Sequence, residues 1–263
     1  MQIKDLYGAG TDALALKKRV NAVAEQFRKN MGGEPEEWYS SSGRAEIIGN
    51  HTDHNHGKVI VAAISCDILA AVKKRTDGMI RIHSAGFPPF EMNINTLDVN
   101  PKEYGKSVAL VRGIVKAIRD RGMEVGGFSA YTESTVFRGV SSSAAFELLV
   151  CEILNRMYLD GKLSKVDKAI ISQYAENVYF GKPCGLLDQS GISLGGINKI
   201  DFNDPNKPEI EELKPAAGYT LVITNTGGSH ATLTEHYAAI ETEMLEVAAH
   251  CGKECLRELP YEE

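Results

Sequence analysis

Residues 58–73, KVIVAAISCDILAAVK, run without a single Gly or Pro and are dominated by Val, Ile, Leu and Ala. A run of that length suits a helix or two short strands. Its β-branched bias, and the polar Ser65-Cys66-Asp67 at its centre, favour two strands joined by a turn or bend. Helical stripes surround it. Leu16, Val20, Val23 and Phe27 recur at i, i+4, i+7 and i+11 before Gly32-Gly33 stops the helix. Val108, Val111, Val115 and Ile118 mark a second helix, Phe146, Leu149 and Ile153 a third, and Ile170, Tyr174 and Val178 a fourth. Tyr237, Ile240, Met244, Val247 and Cys251 mark the last. Strands are expected at 79–84 (MIRIHS), 127–135 (GFSAYTEST) and 219–225 (YTLVITN). Strands and helices mix without strict alternation, which predicts an α+β fold rather than a doubly wound sheet. The Pro-rich stretch 204–215 (DPNKPEIEELKP) is the expected boundary between two units.

Composition narrows the function classes. With 43% hydrophobic and 24% charged residues the chain is globular, not disordered or fibrous. A net charge of −6 argues against broad binding to nucleic acid or anionic membranes. No apolar run approaches the roughly 18 residues of a membrane-spanning helix, and the start lacks a signal-peptide core. The five Cys (66, 151, 184, 251 and 255) read as free thiols of a reducing cytoplasm.

Three polar clusters carry chemistry. The first is Gly43–Gly57, GRAEIIGNHTDHNHG, behind a short apolar step at Ile47-Ile48. Its His51, His54 and His56 with Asp53 invite a metal site, a polar ligand site or a solvated loop. In an extended segment His51 and Asp53 face away from His54 and His56. The second is RGVSSSAA (138–145), directly before a helical pattern. Gly, Ser hydroxyls and a helix N-terminus suit a phosphate; the same serines also suit plain capping. The third is GKPCGLLDQ (181–189), where Asp188 stands among turn residues as a base or as a helix cap. Two apparent nucleotide loops fail. Gly105-Lys106-Ser107 has Asn at position 100, where the phosphate loop needs Gly, and Gly8-Ala9-Gly10 has no strand before it.

Taken in order, the clusters resemble the galactokinase branch of the GHMP small-molecule kinases. The first is similar to its signature P-G-R-x-N-L-I-G-E-H-T-D-Y-N-x-G, the second to G-x-G-L-S-S-S-A-A and the third to G-x-P-C-G-x-x-D-Q. Thr224-Asn225 followed by Glu235-His236-Tyr237 resembles a later T-N…E-Y region. The resemblance implies the GHMP two-domain α+β architecture, with a nearly complete N-terminal domain at 1–205 and an incomplete C-terminal one at 206–263. It implies transfer of the ATP γ-phosphoryl group to the anomeric hydroxyl of galactose or a related hexose, in the cytoplasm. Sugar and ATP are then the partners, with no nucleic acid or membrane.

The matched positions imply roles. Asp188 is the expected catalytic carboxylate, and Arg44 the group that keeps it ionised. Asn50, His51, Asp53, Gly185 and Tyr237 match sugar-binding positions. Gly139, Ser141, Ser142 and Ser143 match the ATP-phosphate loop, and Ser143 and Glu176 the Mg²⁺ ligands.

Three departures stand out. Asn50 occupies the place of the signature's Glu, and Glu46 that of its Asn. The phosphate loop, VFRGVS at 136–141, is about two residues short. No third Gly-rich motif occurs, so the chain is expected to be a C-terminally truncated member. The rival from another class is a non-catalytic sugar- and nucleotide-sensing relative.

Overall fold

A computed structural model describes Tyr7 and residues 12–137, 139–215, 217–224 and 234–260, without the side chains of 234–238. The first helix, α1 (Ala13–Met31), starts on Asp12, whose carboxylate accepts the amides of Leu14 and Ala15. Then come β1 (Glu37–Ile48) and a short tight helical turn at Thr52–Asn55. The strands β2 (Lys58–Arg75), β3 (Met79–Ser84) and β4 (Phe90–Asn93) follow. Next are α2 (Ser107–Arg119), β5 (Gly127–Ser134), α3 (Ser142–Tyr158) and α4 (Lys165–Tyr174). A wide π-helical turn, Ala175–Phe180, extends α4. Finally come α5 (Leu187–Leu194), β6 (Ile197–Asp201), β7 (Glu209–Leu213) and α6 (Thr234–His250).

The run at 58–73 is one strand, which corrects the expected break at Ser65-Cys66-Asp67. β1 pairs antiparallel along most of β2 on one edge. The other edge changes partner. Residues 58–62 of β2 pair with β6, and residues 68–75 pair with β5. The polar centre lies where the partners change, and its demands are met without a turn. Asp67 accepts bonds from Ser40 Oγ at 2.5 Å and Arg19 Nη1 at 2.5 Å, while its amide donates to Thr135 Oγ1 at 2.9 Å. β3 joins β5 in parallel, β4 flanks β3, and β7 flanks β6, completing seven strands. The fold class is α+β, as expected.

Alternation along β2 divides its side chains between two layers. Ile68, Ala70 and Val72 enter the main core with α2, α3 and α4 residues such as Ile114, Leu149 and Ile171. Leu69 and Ala71 face α1, where Val23 and Phe27 cover them. Burying Phe27 completely is worth about 1.5–3 kcal/mol.

The stretch 204–215, the boundary candidate, contains β7. One further expectation needs correction. Residues 219–224 are not a strand, and Asn225 lies outside the described residues. Tyr219 and Val222 are 83% and 84% exposed, so the apolar pattern there has no layer to pack on among the described residues. No described helix is long and apolar enough to cross a membrane.

Candidate functional site

β1 delivers Arg44 to a crevice between itself, the start of α3 and the start of α5. Arg44 Nε donates to Asp188 Oδ1 at 2.7 Å, and its Nη2 lies 2.6 Å from the same oxygen. Ser141 Oγ donates to Asp188 Oδ2, so both carboxylate oxygens are engaged. The backbone ties the same elements together: Arg44 N–H donates to Val140 O at 3.2 Å. Burial works to raise the Asp188 pKa. The Arg44 charge, the Ser141 bond and the Arg44 bond outweigh it, and the carboxyl lies below its ordinary value. Asp188 is therefore a carboxylate at neutral pH.

The Gly-Ser segment bends sharply here. Gly139 has φ +97° and Ser141 φ +60°. Ser141 makes no capping bond to α3, so its hydroxyl is committed to Asp188 rather than to the helix end. Ser142 is exposed at the first turn of α3. Ser143 Oγ donates to Glu176 Oε1 at 3.2 Å.

Glu176, on the π-helical turn, is nearly fully buried and carries four contacts. Besides Ser143 these are Lys182 Nζ at 3.0 Å on Oε1, Gln189 Nε2 at 2.8 Å on Oε2, and Cys184 Sγ at 3.3 Å on Oε2. Burial opposes charge on Lys182, but Glu176 prevails and raises its pKa. Ser143 and Glu176 therefore offer two convergent hard oxygens with a cation already against one of them. That donor set fits Mg²⁺, which takes few protein ligands and completes its shell with water and phosphate.

Loop 49–57 closes the other side. Asp53 is buried, and its Oδ2 accepts the Leu187 amide at 2.9 Å at the head of α5. Burial raises the Asp53 pKa, the Leu187 bond opposes this, and nearby Asp188 adds to it. Gly185 is required by close approach: a Cβ there would lie 1.9 Å from Asp53 Oδ2. Asn50 and His51 are exposed at the rim with left-handed backbones. The three histidines do not converge. His51 Nε2 lies 3.7 Å from Glu46 Oε2, while His54 lies 3.9 Å from Asp53 Oδ1 and 3.3 Å from Met244 Sδ. No group of three or more metal-ligating side chains occurs among the described residues. Tyr237 falls on α6, but its side chain lies outside the described residues. A separate hollow of about 500 Å³ is lined by Thr52, Asn55, Gly57, Lys58, Met244, Leu256 and Arg257, and includes neither Arg44 nor Asp188.

Two residues of the crevice escaped sequence reasoning. Glu147, fully buried on α3, accepts Gln189 Nε2 at 3.1 Å. Burial, reinforced by Glu176, raises its pKa well above the carboxylate range. Its only sequence signal is an acid between Phe146 and Leu148 in an apolar helix. Lys182 hid in a Gly-Pro turn, where a cation usually reads as solvated surface.

Known proteins resemble this chain in sequence and in fold. Residues 25–74 match the galactokinase galactose-binding signature, and residues 109–196 match the GHMP kinases N terminal domain. A Streptomyces coelicolor galactokinase is 33% identical over 244 residues, 91% of this chain and 63% of that protein. A Clostridium tetani galactokinase is 32% identical over 210 residues, 79% of this chain and 53% of that protein. The chain thus spans less than two thirds of the length of these curated relatives. In fold, it superposes on the galactose complex of Lactococcus lactis galactokinase with a TM-score of 0.76 at 24% identity, covering 93% of this chain and 65% of that one. A Methanococcus jannaschii mevalonate kinase follows at 0.56 and 18% identity, covering 70% and 57%. The signature match spans Arg44 and Asp53, and the N-terminal-domain match spans Ser141, Glu176 and Asp188; over these segments the chain is similar to the galactokinases among the GHMP kinases.

Proposed function

We propose that this chain carries the sugar-binding and phosphoryl-transfer site of an ATP-dependent hexose 1-kinase, with galactose as the first substrate to test. The observation that carries the reading is the Arg44–Asp188–Ser141 arrangement. It holds an ionised carboxylate in a crevice beside a serine-rich helix start. Asp188 takes the proton of the anomeric hydroxyl as that oxygen bonds to the γ-phosphorus and the bond from the γ-phosphorus to the β–γ bridging oxygen breaks, releasing ADP, and Arg44 keeps Asp188 ionised until it does so. The N-terminal amides of α3, with Gly139, Ser142 and Ser143, hold the ATP phosphates. Ser143 and Glu176 hold Mg²⁺, which neutralises phosphate charge when bound. Asn50, His51, Asp53 and Gly185 line the sugar side, and Tyr237 is the further sugar-binding candidate.

The test is a coupled assay of ATP consumption with a panel of aldohexoses, with the product identified by phosphorus NMR. A sugar 1-phosphate formed only when ATP and a hexose are both present is the expected result. Hexose binding without turnover would favour the sensing relative instead.

A further inference from the structure

The last part of the described chain returns to the turn that carries Asp53. After α6, a short helical turn at Leu256–Glu258 brings Arg257 to the end of β6. Arg257 is bonded on two fronts. Its Nη1 and Nη2 grip the Asp201 carboxylate, with Nη2 at 3.1 Å from Oδ2. The same Nη1 donates to the backbone carbonyl of His56 at 2.6 Å. Two contacts lie alongside. Buried Asn55 donates from Nδ2 to Met244 Sδ on α6 at 2.8 Å, and its Oδ1 accepts the Leu256 amide at 3.4 Å.

The turn itself is tight. His56 N–H donates to Asp53 O at 3.0 Å, and Gly57 N–H donates to Thr52 O at 2.8 Å. His56 has a left-handed backbone, φ +59°. A residue with a side chain keeps that conformation only where its surroundings fix it, and a charge-assisted bond to its carbonyl does so. Balancing Asp201 is not the whole task of Arg257, because Lys58 Nζ already stands 3.3 Å from Asp201 Oδ2. What Arg257 adds is the link to the turn, since its planar fork serves a carboxylate and a carbonyl at once. Asp53 belongs to the same turn, and its Oδ2 accepts the amide of Leu187, the first residue of α5. A shift of the turn therefore moves Asp53 against α5.

We propose that Arg257 is a positioning residue of the candidate site. With Met244 it ties the turn at 52–56 to β6 and α6, and so fixes Asp53 at the head of α5. The segment at 244–257 is then a support of the site and not only the start of a second unit. The coupling from Arg257 through His56 and Asp53 to the Leu187 amide needs no sugar, whereas its effect on turnover rests on the hexose reading.

The experiment compares the full chain with Arg257→Ala, Arg257→Lys and, as a control, Lys58→Ala. Amide hydrogen exchange is followed at His56 and Leu187, and at Ile114 and Leu149 in the main core. Steady-state kinetics with galactose and ATP are measured beside it. Arg257→Lys keeps a cation at Asp201 but loses the fork, so any loss it shows belongs to the link with His56. A hydrogen bond to a charged group is worth about tenfold or more. Both Arg257 variants should therefore speed exchange at His56 and Leu187 by about that factor, while Ile114 and Leu149 keep their rates. The KM for galactose should rise by about tenfold with the KM for ATP unchanged. Lys58→Ala should match wild type throughout. If Arg257→Ala does not fold, Arg257→Lys decides alone. If the wild-type chain phosphorylates no hexose, the hexose reading fails, and Leu187 exchange decides the positioning role by itself. Unchanged Leu187 exchange in the Arg257 variants would overturn the proposal. So would equal acceleration at the core amides, which marks general destabilisation, or faster Leu187 exchange with an unchanged KM for galactose in a chain that phosphorylates it.

Discussion

Arg44 and Asp188 are separated by 144 positions in the chain and by 2.7 Å in the fold. The pair sets the pH range of the site. Burial alone pushes the Asp188 pKa up, and Arg44 is the largest effect pulling it below its ordinary value. A depressed pKa keeps the base ionised as pH falls, and the stability the pair contributes is lost only as pH falls through that depressed value. Removing the guanidinium leaves burial in charge. In Arg44→Ala the acid limb of the kcat/KM profile should therefore move to higher pH. Asp188→Asn should lower turnover by about 10² or more at every pH. An acid limb that stays in place in Arg44→Ala would mean that another group titrates there.

Gly185→Ala tests the sugar side. The new methyl would sit 1.9 Å from Asp53 Oδ2, so the carboxylate must leave its bond to the Leu187 amide. A displacement near 1 Å in a positioned group costs about 10²-fold. The expected outcome is a fall of that order in kcat/KM for the hexose, with the KM for ATP little changed. Unchanged hexose kinetics would remove Asp53 from the sugar site.

The parts of this site legible in the sequence were those written as local chemistry. Arg44, Asp53 and Asp188 each stand in a short polar segment that contains glycines, and the helical stripes through Leu16–Phe27 and Val108–Ile118 have a simple period. Other features depend on contacts distant in the chain. Ser65-Cys66-Asp67 looks like a turn because Asp67 is polar, yet Arg19, Ser40 and Thr135 satisfy it within a continuous strand. β1 hides because its buried positions include Ser41, Gly43 and Arg44 instead of an apolar alternation. The segment 219–224 shows the converse: an apolar pattern makes a strand only where a neighbour pairs with it.

The same Asp67 gives a stability prediction away from the site. Arg19 Nη1 lies 2.5 Å from Asp67 and its Nε 2.5 Å from Glu133, so α1 is pinned to β2 and β5 at once. The Asp67 side chain is only 4% exposed. Arg19→Ala leaves that buried carboxylate with hydroxyl donors and without this cation, at a cost of about 3 kcal/mol. Urea unfolding should show this loss while kcat is unchanged. A change under about 0.5 kcal/mol would show the pair to be an exposed surface bridge in solution.

Glu147 makes the opposite case, a carboxyl better off neutral. It is fully buried on α3, Gln189 donates to its Oε2, and its Oε1, like Gln189 Oε1, has no partner among the described residues. Burial and the neighbouring Glu176 raise its pKa well above the ordinary value. For a carboxyl raised in the folded state, the unfolded chain ionises first. Stability is then fully present below the unfolded pKa of about 4.3 and is lost as pH rises toward the folded value. Glu147→Gln removes that loss, and its amide can both accept from and donate to Gln189. The variant should unfold at a higher temperature than wild type at pH 7–8, by about 2–4 °C for each kcal/mol gained. The advantage should shrink or reverse near pH 4. Scanning calorimetry at both pH values decides it, and a variant less stable than wild type at pH 8 would mean that Glu147 is ionised in the fold and its charge is needed there.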